Sequence, residues 1–305
     1  MEENKFTFVQ LDEEASEHIS APVYSYWKSV ARVFFKDKFA MFMLVLAIII
    51  VLISLIQPMF SGYSPIDSTN INNPAMKFLG PSLQYPFGTD NIGLSLFDAV
   101  FAGCGESLKL AGLVTLINMT IGIAVGAVWG YSKKVDKFMM EIYNIFANVP
   151  YTLVLMVLAY VLPTTFGARV FTFTITGWLG IAFFIRTQVM IIRDREYNLA
   201  SKCLGTGMSR MVTKNILPYM VSVIMTLISR EIPSIIANEV FLSYVNIGND
   251  ISRPSIGVMI SNYTSYMNVY PHLFWFPVIV LGLVSVSLYV VGQTLADASD
   301  PRTHR

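Results

Sequence analysis

Residues 193–218 read RDREYNLASKCLGTGMSRMVTKNILP, a polar and basic stretch set between two apolar segments. Glu196 falls near the start of a first short helix, where a carboxylate favours the positive end of the helix dipole. Leu199, Ala200 and Ser201 are followed after three residues by Gly205. Gly205 and Gly207 flank Thr206, the pattern of a chain that leaves a helix through left-handed backbone angles. A second short helix then runs to Leu217 and Pro218, and the next apolar segment begins at Pro218, whose missing N–H costs nothing at a helix start. Small side chains at 200, 201 and 205 let the first helix approach another surface closely, while Leu199, Cys203 and Leu204 offer apolar contact. The stretch therefore reads as a docking element.

The rest of the chain reads as membrane. It has 305 residues, 54% hydrophobic and 13% charged, with a mean hydropathy of +0.57, against roughly 25% charged residues in a soluble domain. A net charge of +1 and the lack of basic runs with interleaved aromatics exclude a nucleic-acid partner. Residues 39–60, FAMFMLVLAIIIVLISLIQPMF, form a charge-free run able to cross a hydrocarbon core of roughly 30 Å. Before it, residues 1–38 comprise an acidic tail without a signal-peptide core, then an interfacial helix with Trp27, Phe34 and Phe35 at headgroup level.

Beyond the first span, residues 61–107 are rich in Pro, Asn, Ser and Gly and form an extracytosolic segment. Residues 108–298 form a five-helix core. Its spans fall at about 108–131, 139–162, 168–192, 218–241 and 272–295, with a second extracytosolic stretch at 242–271. Gly122, Gly126 and Gly130 line one face of the second span, which permits close helix contact or a place in a pore wall. Pro150, after Asn148, kinks the third. Basic residues set the orientation: Lys28, Arg32, Lys36 and Lys38, the Lys133, Lys134 and Lys137 turn, and the 193–218 loop share one side with Arg302 and Arg305. Six spans with both ends cytosolic follow, including a 299–305 tail. Cys104 and Cys203 then lie on opposite sides and cannot pair.

The spacing of Leu199, Ala200, Ser201, Gly205, Leu217 and Pro218 resembles the coupling loop of permease subunits in binding-protein-dependent ABC importers. Leu199 stands where that family usually has Glu, and Asn215 where it often has His. Phe87, Gly88, Thr89, Asp90 and Gly93 resemble the FGTD-x2-G start of the permease core in the second permease of oligopeptide and dipeptide importers, with Leu94 and Ser95 in place of Arg-Asp. Asp300, Pro301 and Arg302 resemble the same permeases' ending. The resemblance implies an all-α membrane protein with the type I importer permease fold and a cytosolic coupling helix, in a bacterial cytoplasmic membrane. It further implies partners: a homologous second permease, two ATPase subunits that hold ATP and Mg, an extracytosolic peptide-binding protein, and a peptide substrate.

No glycine is followed by Lys, so the GxxxxGK[ST] phosphate loop is absent, and ATP hydrolysis is expected in separate subunits. His18, His272 and His304 are scattered, with no HExxH pair or GxSxG elbow, so neither a metal site nor an intramembrane enzyme is expected, and the chain itself carries no cofactor. Charge inside the fifth span remains: Arg230 and Glu231 near its middle, beside Pro233, and Glu239 towards its outer end. These three could line a solvated path for peptide, or pair with neighbours and position helices. A carrier of many sequences gains little from a fixed charge, which favours positioning. A different class, an ion-coupled secondary transporter or channel, would use the same three residues as coupling sites; a scaffold would need them only for assembly. Arg186, near the cytosolic end of the fourth span, is expected to snorkel to the interface.

Overall fold

The computed structural model describes residues 25–300 apart from positions 68, 71, 249 and 251. The 1–24 tail with His18, and Pro301, Arg302, His304 and Arg305 of the ending, lie outside the described residues. Helix α1 (Tyr26–Lys36) turns into α2 (Lys38–Ser61) at Asp37, whose Oδ1 accepts from the N–H groups of Phe39 at 2.9 Å and Ala40 at 3.0 Å. That carboxylate caps two of the donors a helix start leaves unpaired. Val30 and Phe34 of α1 are buried beside Ala298 and Leu295, and the Tyr26 hydroxyl donates to Ser299 O at 2.7 Å. Its exposed face carries Trp27, Lys28, Arg32, Phe35 and Lys36.

Five helices are long and apolar enough to cross a membrane, and a bent pair brings the number to six if the pair counts as one span. They are α2, α3 (Leu96–Tyr131), the pair α4 (Lys133–Ala147) and α5 (Tyr151–Val161), α6 (Phe166–Arg193), the continuous helical run Met208–Tyr244, and α10 (Pro271–Ala298). Short helices α7 (Glu196–Cys203) and α9 (Ile256–Tyr263) fill the connections on either side of that run, whose regular part, Val221–Tyr244, is α8. Among the described residues there is no strand, only an isolated bridge between Thr89 and Ser95.

Three boundaries differ from expectation for identifiable reasons. Helix α3 begins at Leu96, not near 108, because Ser95 caps it, its Oγ accepting from Asp98 N at 3.4 Å. The fifth crossing does not begin at Pro218. The chain is already helical at Met208 and passes Pro218 through a π-helical turn, Met211–Ile216, and a 3-10 turn, Leu217–Met220. Proline has no N–H for the regular ladder, and a locally altered helix absorbs that loss. Lastly, Gly207 has φ −70°, so the left-handed exit is made by Gly205 alone, at φ +83°.

The most extensive packing is α3 against α6, followed by α8 against α10. Gly122, Gly126 and Gly130 face Ile181, Ala182 and Val189 respectively, so that stripe is a helix contact and not a pore wall. One apolar cluster joins α3, α6, α8, α9 and α10; a second joins α3 and the distal half of α6 to Met211, Ile216 and Met220.

Candidate functional site

Asn148 and Pro150 separate α4 from α5, and the two axes diverge by 74°. Pro150 has no N–H to continue α4, and it serves instead as the N-cap of α5. The bend leaves a cavity of about 650 Å³ bounded by α4 and α5, α6, and α8. Its lining is mostly apolar or aromatic, including Tyr143, Phe146, Tyr151 and Phe184, and its only charged side chains are Arg230 and Glu231. Asn118 of α3 is fully buried, and its Nδ2 donates to Glu231 Oε1 at 3.1 Å. Gly177 makes room for that amide, since a Cβ there would lie 2.5 Å from Asn118 Nδ2. Arg230 is exposed in the cavity and makes no hydrogen bond or ion pair with any described residue.

The 193–218 stretch projects from one end of the bundle. Arg193 ties its start to the end of α3, donating from Nη1 to Gly130 O at 2.9 Å and Tyr131 O at 3.3 Å. The Arg193 guanidinium also holds the Asp194 carboxyl below its usual range. Asn198, on the inner face of α7, is buried; its Nδ2 donates to Ile192 O at 2.8 Å and its Oδ1 accepts from Asn215 at 3.3 Å. These bonds fix the roll of α7, so Glu196, Leu199 and Ala200 point outward with Cys203 and Leu204, the last 88% exposed. Ser201 is half-buried, its hydroxyl 2.9 Å from that of Thr206. Gly205 has open space where a Cβ would stand. Leu217 packs against the second apolar cluster, whereas Pro218 is exposed.

A family model described as "binding-protein-dependent transport system inner membrane component" matches residues 119–305, and one for the N-terminal TM domain of oligopeptide transport permease C matches residues 25–83. The chain belongs to this permease family. It is 47% identical to the oligopeptide transport system permease protein AmiD of Streptococcus pneumoniae, over 100% of this chain and 99% of the relative. The oligopeptide permease OppC of Bacillus subtilis is 32% identical, over 95% and 94%, and the dipeptide permease DppC of the same organism 30% identical, over 98% and 93%. The chain is thus a multi-pass membrane permease, not an enzyme, and the ion-coupled alternative is set aside.

At the end of the permease away from α7, the FGTD segment forms a knot. Gly88 and Gly93 have φ +83° and +82°, backbone that glycine adopts readily. Thr89 is buried; its hydroxyl donates to Met76 O at 2.6 Å and accepts from Leu79 N at 2.9 Å. Asp90 Oδ1 accepts from Ile92 N at 3.0 Å and Leu94 N at 2.8 Å, and Tyr263 donates to Oδ2 at 3.3 Å. Burial raises the Asp90 carboxyl above its usual range, against the pull of these bonds. Phe87 stacks on Phe276 with centroids 4.3 Å apart. The five residues are therefore brought together as a fastening of α3 to α9 and α10, remote from the cavity.

Glu239 does not accompany Arg230 and Glu231. It is buried, accepts from Ser107 at 2.7 Å and Ser243 at 3.3 Å, and pairs with Arg169 at 3.7 Å. Arg169 also approaches Glu106, which Arg253 reaches at 3.4 Å. This ion-pair cluster, which sequence reasoning missed, links residues far apart in the chain; the only signal was an acidic residue in each of two apolar segments. Arg186 corrects a second expectation. Its side chain is 12% exposed, ion-paired with Asp136 and stacked over Trp129 at 5.6 Å and Phe183 at 5.7 Å. It does not snorkel, because α4 bends back to bring a carboxylate to it.

Proposed function

We propose that this permease is one transmembrane half of an ATP-driven peptide importer. A homologous second permease closes the open side of the cavity, two ATPase subunits carrying ATP and Mg sit beneath, and an extracytosolic binding protein delivers peptide. The cavity carries the reading: its largely aromatic and apolar wall accommodates varied side chains, and it adjoins α8, whose middle bears Arg230 and Glu231. Relatives named as oligopeptide and dipeptide permeases support peptide as the cargo. Both ends and the 193–218 loop face the cytosol in this reading, as the basic residues require.

The coupling step follows from how α7 is held. Leu199, Leu204 and Ala200 enter the ATPase, with Glu196 at the rim, while Asn198 fastens α7 to Ile192 and Asn215. ATP-driven closure of the ATPases pulls α7, and the helical run from Met208 passes the movement into α8 and the cavity. Two packed arrangements, inward-facing and outward-facing, then exchange. Affinity purification of the tagged chain in mild detergent, with mass spectrometry, tests the assembly. Two ATPases and a second six-span protein are expected. Gly205→Glu, strained at φ +83°, is expected to leave the chain in the membrane while abolishing uptake. Recovery of the chain alone, still moving solute in liposomes, or full uptake by Gly205→Glu, would sink the reading.

A further inference from the structure

Helix α6 carries three arginines and α8 one. Arg169 pairs with Glu106 and Glu239, Arg186 with Asp136, and Arg193 with Asp194. Of these four, only Arg230 has no anionic partner among the described residues, yet it lies near the middle of α8 (Val221–Tyr244) and is exposed in the 650 Å³ cavity. An intramembrane arginine is costly to insert, and such residues mark substrate paths when they face water. The adjacent Glu231 lines the same cavity but makes no ion pair with Arg230, and its Oε1 accepts from Asn118 Nδ2 of α3 at 3.1 Å. On the α6 wall the Thr176 hydroxyl is buried with no hydrogen-bond partner, a neutral donor lining the cavity that holds this cation.

We propose that Arg230 receives the C-terminal carboxylate of the peptide in transit. This rests on the importer reading given above. A peptide of any sequence ends in one carboxylate, so a single fixed cation selects the class of cargo without selecting its side chains. The guanidinium offers a bidentate pair to it, and the aromatic wall leaves the preceding residues unconstrained. Glu231 and Glu239 are positioning groups, each already hydrogen-bonded within the chain.

The test reconstitutes the whole complex in proteoliposomes with its binding protein and measures ATP-dependent uptake of one peptide as the free acid and as the C-terminal amide. The acid-to-amide uptake ratio is compared between wild type, Arg230→Gln and Arg230→Lys. Any preference of the binding protein is common to all three and cancels. Arg230→Gln is expected to lower the ratio about tenfold, the scale of one charge-assisted hydrogen bond, and Arg230→Lys to retain part of it, with the second permease and the ATPase subunits still co-purifying with both variants. Equal loss for acid and amide, or an unchanged ratio, overturns the assignment. Loss of the second permease from the Arg230→Gln complex also overturns it, by showing that a partner carboxylate is the counter-charge. Failure of the wild-type complex to take up either peptide is the separate signature of a failed importer reading, which removes this proposal with it.

Discussion

Gly126→Ala probes the α3–α6 contact that backs the cavity. A Cβ on Gly126 would lie 2.5 Å from Ala182 O, 0.9 Å short of the 3.4 Å at which ordinary contact begins. Gly122 and Gly130 meet α6 at nearly the same distance, 2.6 Å in each case, so the two helices are held at one uniform separation. Relieving the clash means parting them by about the shortfall, and a gap of 0.5–1 Å forfeits a quarter to a half of each dispersion contact. Overpacking of this kind costs about 1–3 kcal/mol. Gly112, on the same helix, has nothing within 4 Å of its Cβ position; Gly112→Ala is the control and gains up to about 1 kcal/mol of helix propensity. The stability gap between the two variants is therefore about 2 kcal/mol or more, read from denaturant titration in mixed micelles. The Gly122→Ala, Gly126→Ala double variant should cost less than the sum of the singles, because the first substitution has already parted the helices. A Gly126→Ala chain within about 0.5 kcal/mol of Gly112→Ala, or strictly additive losses, would refute the close-approach reasoning.

Asp136→Asn leaves the Arg186 guanidinium largely buried without its carboxylate and is expected to destabilise the chain by about 3 kcal/mol; pairing it with Arg186→Met should recover part of that in the same titration, and no recovery would mean the pair is not coupled. Thr89→Val strands Leu79 N and Met76 O in the FGTD knot and is expected to cost about 2 kcal/mol, seen as faster proteolysis of the 61–95 segment while ATPase recovery is unchanged; an unaltered cleavage rate would deny the knot its fastening role.

The apolar spans and the short helix α7 were legible in the sequence because both are local. A hydrocarbon core demands a long apolar run wherever the backbone crosses it, and residues 39–60 satisfy that alone. The exit of α7 was readable for the same reason, since φ +83° at residue 205 favours glycine. Locality also limited the reading. Gly207 looked equivalent to Gly205, but its backbone is an ordinary N-cap. Asn198 carried no signal, although it sets which face of α7 is presented.

What the sequence by itself determined is the membrane class, the long apolar runs and the short polar helix at Glu196–Cys203, all consequences of hydrophobicity and backbone chemistry over a few turns. What only the tertiary structure decided is how the intramembrane charges divide. Arg169 finds Glu106 and Glu239, and Arg186 finds Asp136, while Arg230 is left facing the cavity. The physical reason is that an ion pair depends on which helix faces cross and where α4 bends, and neither is encoded within reach of the residues concerned.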